Sequence, residues 1–373
     1  MRGKPVRNMS QIRLHRVEGE IMTNYFGDPV EACAGKQVVK HETWELRQMQ
    51  ALPLDIKVKM TQRRIRDWYN YWGGEVYISF SGGKDSTVLL HIAREIFPDI
   101  TAVFVNTGLE YPEIRKFAKS FENVEVIYPK MSFDEVIRKF GYPVLSKTIC
   151  HKISFARKGS QWALKFVNGT AVDDTGRKSM YNIEKYKPML NMDFGVSDLC
   201  CDIMKKAPGH EYEKRTGKKR MTAQMACESK MRTQQWLFNG CNGFDMKSPV
   251  SNPMSFWTEQ DVLQYIVQND IPLASVYGEI EGASPQMCLF GDEKLRTTGC
   301  ERTGCIFCGF GCHLEKESRF VRLRQTHPRQ YEYCIGGGGY DTDGIWKPNS
   351  SGLGMGHVFD ELNKVYGKDF IKY

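Results

Sequence analysis

Ser81-Gly82-Gly83-Lys84-Asp85-Ser86 sets small residues, a cation and a carboxylate in six consecutive positions, a combination suited to phosphate. Without bulky side chains, backbone N–H groups can approach a phosphate closely, and the N-terminus of a following helix favours the anion. Lys84 is expected to add a mobile positive charge. The Gly-x-x-x-x-Gly-Lys-Ser/Thr spacing of kinase and GTPase loops is absent, which excludes that class. Sulfur is the second chemistry on offer, since the chain holds 12 cysteines. The first thirty residues carry no apolar stretch of signal-peptide length, so these are read as free thiols available to metals in a reducing compartment.

Two cysteine arrangements compete. Cys200-Cys201 together with Cys305-Ile306-Phe307-Cys308 can supply four thiolates to one cluster. Alternatively, Cys300, Cys305, Cys308 and Cys312 lie within thirteen residues, with His313 as a substitute ligand, and can close a knuckle around Zn²⁺ or a cluster. The scattered Cys33, Cys150, Cys227, Cys241, Cys288 and Cys334 read as small buried hydrophobes. Lys205-Lys206 follows the cysteine pair by one helical turn, either as a surface patch or as a holder of negative charge.

The elements that must position these groups follow from periodicity. Residues 54–72 form an amphipathic helix with Arg63, Arg64 and Arg66 outward, and Glu75-Val76-Tyr77-Ile78-Ser79-Phe80 forms a strand entering the glycine turn. A helix over 86–96, a strand over 100–105, a helix opened by Pro112 and a strand over 124–127 follow. Ser132 with Glu135, and Thr258 with Asp261, cap two further helices. Alternating strands and helices imply an α/β fold built on a parallel sheet, with ligands outside the carboxyl ends of the strands. The expected division is an N-terminal extension over 1–54, a nucleotide-binding domain over 55–285 with a polar surface insertion at about 157–190, and a cysteine-rich segment and tail over 286–373.

The phosphate turn closely resembles the Ser-Gly-Gly-x-Asp-Ser signature of the PP-loop superfamily, and three further segments resemble its PAPS-reductase-like members. Val103-Phe104-Val105-Asn106-Thr107-Gly108-Leu109-Glu110 is similar to their Asp-Thr-Gly signature with Asn106 in the Asp position. A neutral amide holds Mg²⁺ more weakly than a carboxylate, so Mg²⁺ stays a candidate with a weakened ligand. Met225-Ala226-Cys227-Glu228-Ser229-Lys230-Met231-Arg232 matches a nucleotide-contacting segment, and Pro253-Met254-Ser255-Phe256-Trp257-Thr258-Glu259-Gln260-Asp261-Val262 matches a helix start. The likeness spans roughly residues 55–320. It implies a PP-loop (adenine nucleotide alpha hydrolase-like) domain that binds ATP or an adenylylsulfate through Ser81, Gly82, Gly83, Lys84, Asp85, Ser86, Asn106, Thr107, Gly108, Glu228 and Ser229. Lys84, Asp85 and Arg232 are then the catalytic candidates. The cysteine pattern resembles cluster-bearing adenylylsulfate reductases, which implies a [4Fe–4S] cluster on Cys200, Cys201, Cys305 and Cys308, with zinc as the alternative.

Three functions remain open at this level. One is ATP-dependent activation of an acceptor, with AMP and pyrophosphate leaving and sulfur arriving. Another is reduction of PAPS or adenylylsulfate to sulfite, which in that family uses a C-terminal Glu-Cys-Gly thiol absent from the final residues 360–373, so this reading requires Cys334 to substitute. The last is a non-catalytic nucleotide and cluster subunit. The net charge of +8, from 52 Lys plus Arg against 44 Asp plus Glu, favours anionic partners, so tRNA or DNA is a candidate acceptor beside a sulfur or electron donor protein. With 41% hydrophobic and 26% charged residues and no run of about 18 apolar positions, the expectation is a globular cytoplasmic protein without a membrane partner.

Overall fold

The computed structural model describes residues 39–282 and 294–373, so Cys33, Cys288 and most of the N-terminal extension lie outside the described residues. Helices α1 (Thr43–Gln50) and α2 (Leu54–Tyr71) lead into β1 (Val76–Ser79), α3 (Lys84–Ile96), β2 (Ala102–Val105), α4 (Pro112–Lys119) and β3 (Val124–Ile127). Then come α5 (Phe133–Phe140), β4 (Val144–Leu145), α6 (Lys147–Arg157), α7 (Gln161–Val167), α8 (Ala207–Thr216), β5 (Lys219–Met221) and α9 (Lys230–Asn239). The chain continues through β6 (Asn242–Gly243), β7 (Val250–Ser251), α10 (Glu259–Gln268), α11 (Arg319–Thr326), α12 (Pro328–Ile335) and α13 (Met355–Tyr366). Among the described residues no helix is long and apolar enough to cross a membrane.

The main sheet has the order β3-β2-β1-β5-β7-β6, parallel throughout except for the antiparallel β6–β7 edge. From β1 the chain builds outward through β2 to β3 and later returns to β5 on the other side. Strand order therefore reverses beside β1, where open α/β sheets leave a ligand crevice. The alternation in β1 shows why the strand forms there. Val76 and Ile78 enter the core with Trp68, Leu89 and Trp257, while Tyr77 packs with Val103 and with Tyr212 of α8 on the opposite face. Both faces are covered, as a parallel strand requires.

Both expected capping boxes form, Ser132 with Glu135 on α5 and Thr258 with Asp261 on α10. Asp261 has a second task. Lys57, 2% exposed, brings its ammonium to 2.8 and 2.7 Å from the two Asp261 carboxylate oxygens and 2.7 Å from the Gln50 carbonyl, fastening α2 to α10. Removing one partner of a buried pair leaves the other charge uncompensated, so Lys57→Met is expected to cost about 3–5 kcal/mol. A lowered urea midpoint at unchanged slope checks this.

A second core gathers Leu109, Tyr142, Ile153 and Met189 with Phe320, Cys334 and Phe359, so the segment after β3 and the C-terminal helices pack into one interior. The stretch expected to be a surface insertion at about 157–190 needs correction. It contains α7, whose Ala163 and Val167 are fully buried, and Met189 is fully buried as well. The Arg157 guanidinium donates to the carbonyls of Phe194, Met189 and Met192. Polar neighbours hid the helical spacing of Ala163 and Val167, while exposed residues such as those at 174–178, Met180 and Tyr181 keep one side of the segment at the surface as expected.

Candidate functional site

The turn after β1 is built on its own hydroxyls. Ser86 Oγ donates to the Gly83 carbonyl at 2.9 Å and stands 3.0 Å from Ser81 Oγ, and Thr87 Oγ1 donates to the same carbonyl at 3.0 Å. Gly82 has φ +72, and a Cβ there would meet Ile114 at 3.0 Å, so glycine is required twice over. Lys84 and Asp85 occupy the first turn of α3, where the helix dipole adds to the positive field.

Lys84 is not the mobile cation that the sequence suggested. It is 3% exposed, its ammonium lies 2.7 Å from the Glu301 carbonyl and 3.0 Å from the Glu259 carboxylate, and its N–H donates to the Tyr277 hydroxyl at 3.1 Å. Thr303 Oγ1 is 2.7 Å from that same hydroxyl. Residues 301–303 thus lie across the phosphate turn. The reason is packing: a buried ammonium must find acceptors, and the incoming segment supplies them.

Asp85 faces this cationic group. Burial pushes its carboxyl up, against the pull of Lys84, Arg302 and Arg232, and Oδ1 is buried with no hydrogen-bond partner among the described residues. An unmatched carboxylate oxygen in a phosphate turn suits a divalent cation such as Mg²⁺. Arg232 and Arg302 both pair with Glu228, Arg302 at 2.9 Å, and Glu228 also accepts the Met225 N–H at 2.9 Å. Ser229 caps α9 by accepting the Arg232 N–H at 3.3 Å. Asn106 accepts the Gly108 N–H at 3.2 Å, and Thr107 donates to Glu110 through its hydroxyl at 2.6 Å, which shapes the loop after β2. Glu110 in turn lies within electrostatic reach of Lys205 and Cys305.

The fold brings the cysteine pair and the distant Cys-x-x-Cys within electrostatic reach of one another. Burial raises the Cys200 thiol, and Cys201, Cys305 and Cys308 raise it further. Cys305 is pushed up to about 11, first by burial, with Lys205 pulling it down and Cys308 pushing it up. Burial also raises Cys308, with Cys201 adding to the effect and Arg319 opposing it. Among the described residues no group of three or more His, Cys, Asp or Glu side chains is placed to hold a metal ion. The donor chemistry nonetheless fits a cationic centre, because buried thiols whose ionised forms repel one another are stabilised by metal charge. The Lys205 charge favours the Cys305 thiolate, and Arg319 donates to the Cys308 carbonyl at 3.1 Å. Cys312 instead gives its thiol proton to the Gly309 carbonyl at 3.0 Å and is pushed up to about 12 by burial, while Cys300 sits beside Tyr111 and Arg322.

The phosphoadenosine phosphosulfate reductase domain family matches residues 75–149 and 164–309, more than half of the chain. The chain belongs to that family. An uncharacterized protein of Methanocaldococcus jannaschii is 23% identical over 280 residues, 72% of this chain and 50% of that protein. The adenosine 5'-phosphosulfate reductase of Geobacillus kaustophilus is 24% identical over 110 residues, 28% of this chain and 47% of that enzyme. The chain therefore spans about half the length of these curated relatives. The crystal structure of a PAPS reductase from Candida auris, a phosphate complex, aligns at 16% identity and a TM-score of 0.34 over 64% of this chain and 91% of that one.

For this member of the phosphoadenosine phosphosulfate reductase family, sequence reading overlooked Tyr277, Glu301, Arg302 and Thr303. Glu259 lies in the helix start at 253–262, and nothing local in the sequence marks it as a partner of Lys84. Arg302 carried a usable signal, a cation wedged between Cys300 and Cys305. Tyr277 carried none, since its partners Lys84 and Thr303 are 193 and 26 positions away.

Proposed function

We propose that this family member uses ATP to activate an acceptor, releasing AMP and pyrophosphate, and then passes sulfur to it. One observation carries the reading: the phosphate turn and the cysteines share a wall. The Ile306 N–H donates to the Leu109 carbonyl at 2.8 Å, tying the cysteine turn to the loop after β2, while Glu301, four residues before Cys305, holds Lys84.

An acceptor oxygen attacks the α-phosphorus of ATP and pyrophosphate leaves. Lys84, Arg232 and Arg302 stabilise the charge that develops on the phosphates, and Asp85 would hold Mg²⁺, which when bound supplies further positive charge there. The terminal sulfur of a cysteine persulfide, loaded by a donor protein, then attacks the activated carbon and AMP departs with the former acceptor oxygen; a second thiol cleaves the S–S bond, which frees the thiolated acceptor and leaves a disulfide that a dithiol reductant reopens. Cys200, Cys201, Cys305 and Cys308 would hold a [4Fe–4S] cluster, which when bound supplies a redox-active, sulfur-rich surface beside the nucleotide.

The names of the relatives favour a second reading, reduction of PAPS or adenylylsulfate. Cys334 speaks against it. It is fully buried, donates to the Met355 sulfur at 3.5 Å, and burial pushes its thiol far up, which leaves it a poor nucleophile. Anaerobically purified protein given ATP with tRNA, DNA or small metabolites is expected to release AMP and pyrophosphate in equal amounts, and the acceptor should gain sulfur by mass spectrometry. Thioredoxin-dependent sulfite from PAPS or adenylylsulfate, without pyrophosphate from ATP, sinks the activation reading.

A further inference from the structure

We propose that the cleft between α6, α7 and Tyr181 binds an unpaired nucleobase of a single-stranded nucleic acid together with its flanking phosphates. The cleft is shallow and open, with a volume of about 420 Å³, and its lining includes Lys147, His151, Trp162, Phe166, Tyr181 and Asp198. That size falls near the lower end of the roughly 300–1,000 Å³ usual for ligand pockets. Its wall is a run of rings. His151 meets Trp162 at 6.0 Å between centroids, and Trp162 meets Phe166 at 5.2 Å, both edge-on. Lys152 stands 4.0 Å from the Phe166 centroid and donates to the Tyr181 carbonyl at 2.6 Å, which fixes a cation among the rings. Tyr181 itself is 64% exposed, so its ring is free to stack.

Charge complementarity identifies the occupant as anionic. Residues 147–187 hold nine Lys or Arg against three Asp or Glu, a net +6 out of +8 for the whole chain. Asp198 also lines the cleft, 3.1 Å from His151, and is outnumbered there by Lys147 and Lys152. Aromatic faces interleaved with lysines suit bases that stack without regard to sequence, joined by phosphates. An acidic peptide uses the charge but has no use for the rings, and a duplex hides its bases.

The cleft also lies beside the cysteines. β4, immediately before α6, pairs with Gly309–Phe310, which follow Cys308 directly, and Asp198 is two residues from Cys200. Whether the bound base is the sulfur acceptor rests on the activation reading above. Binding itself does not, so it is measured without ATP.

Fluorescence anisotropy with short labelled single strands of DNA and RNA of one sequence is the test, on the full chain. Binding that weakens with salt is expected, and the tighter arm assigns the source. Trp162→Ala and Tyr181→Ala should each lose roughly 5- to 100-fold, the effect of one base–aromatic stack. Lys147→Glu should lower affinity and flatten the salt dependence. ATP affinity, measured separately, should stay unchanged in all three variants. Tyr181 and Lys147 are exposed, so their variants keep the test decisive should Trp162→Ala fail to fold. No binding of either strand, undiminished binding by folded Tyr181→Ala and Lys147→Glu, or equal displacement by duplex or by polyglutamate overturns the proposal.

Discussion

Lys84→Ala is expected to weaken ATP binding at least tenfold in a protein that still folds. The ammonium is presented by the first turn of α3 and is already desolvated, so a phosphate that replaces the Glu301 carbonyl and Glu259 meets it with little solvent screening. Hydrogen bonds to charged groups are worth about 1.5–3 kcal/mol, and each 1.4 kcal/mol is a factor of about ten in affinity. Arg302→Ala, on an exposed side chain with Glu228 as its partner, should lose less. Isothermal titration with non-hydrolysable ATP measures both variants, with thermal unfolding without nucleotide as the control on folding. Superimposable isotherms for wild type and a folded Lys84→Ala remove Lys84 from the nucleotide site.

Ser substitutions at Cys200, Cys201, Cys305 or Cys308 are expected to abolish the iron-dependent brown absorbance, while Cys300→Ser and Cys312→Ser retain it. After burial, the charges of Cys201, Cys305 and Cys308 raise the Cys200 thiol, Cys308 raises Cys305 and Cys201 raises Cys308, a repulsion that a metal cation relieves. Cys312 is committed to the Gly309 carbonyl, and Cys300 to the neighbourhood of Tyr111 and Arg322. Iron and sulfide content of anaerobically purified variants decides between the sets. Loss of colour confined to Cys300→Ser and Cys312→Ser, or stoichiometric zinc without iron, sinks the four-cysteine assignment.

The parts of this protein legible in its sequence are those whose causes are local. The β-branched and aromatic run before Gly82, the helix after the turn (which starts at Lys84, two residues before the expected 86), Pro112 at the start of α4 and the Ser132 and Thr258 capping boxes each depend on residues within a few positions. Local periodicity failed at 157–190, where polar residues outnumber the buried Ala163, Val167 and Met189 that tie the segment to the core. The order β3-β2-β1-β5-β7-β6, and with it the crevice at β1, was beyond local reading because strand neighbours are chosen by packing between distant segments. The same holds for the state of Lys84. Its type and place were evident in the six-residue turn, but its acceptor Glu301 is 217 positions away, and only the folded chain brings the two within hydrogen-bonding distance. Sequence alone determined which groups could meet a phosphate or a metal, because side-chain chemistry belongs to the residue. Which of those groups are held, paired or left unmatched, as Asp85 Oδ1 is, was decided by tertiary structure, because burial and partnership belong to the whole chain.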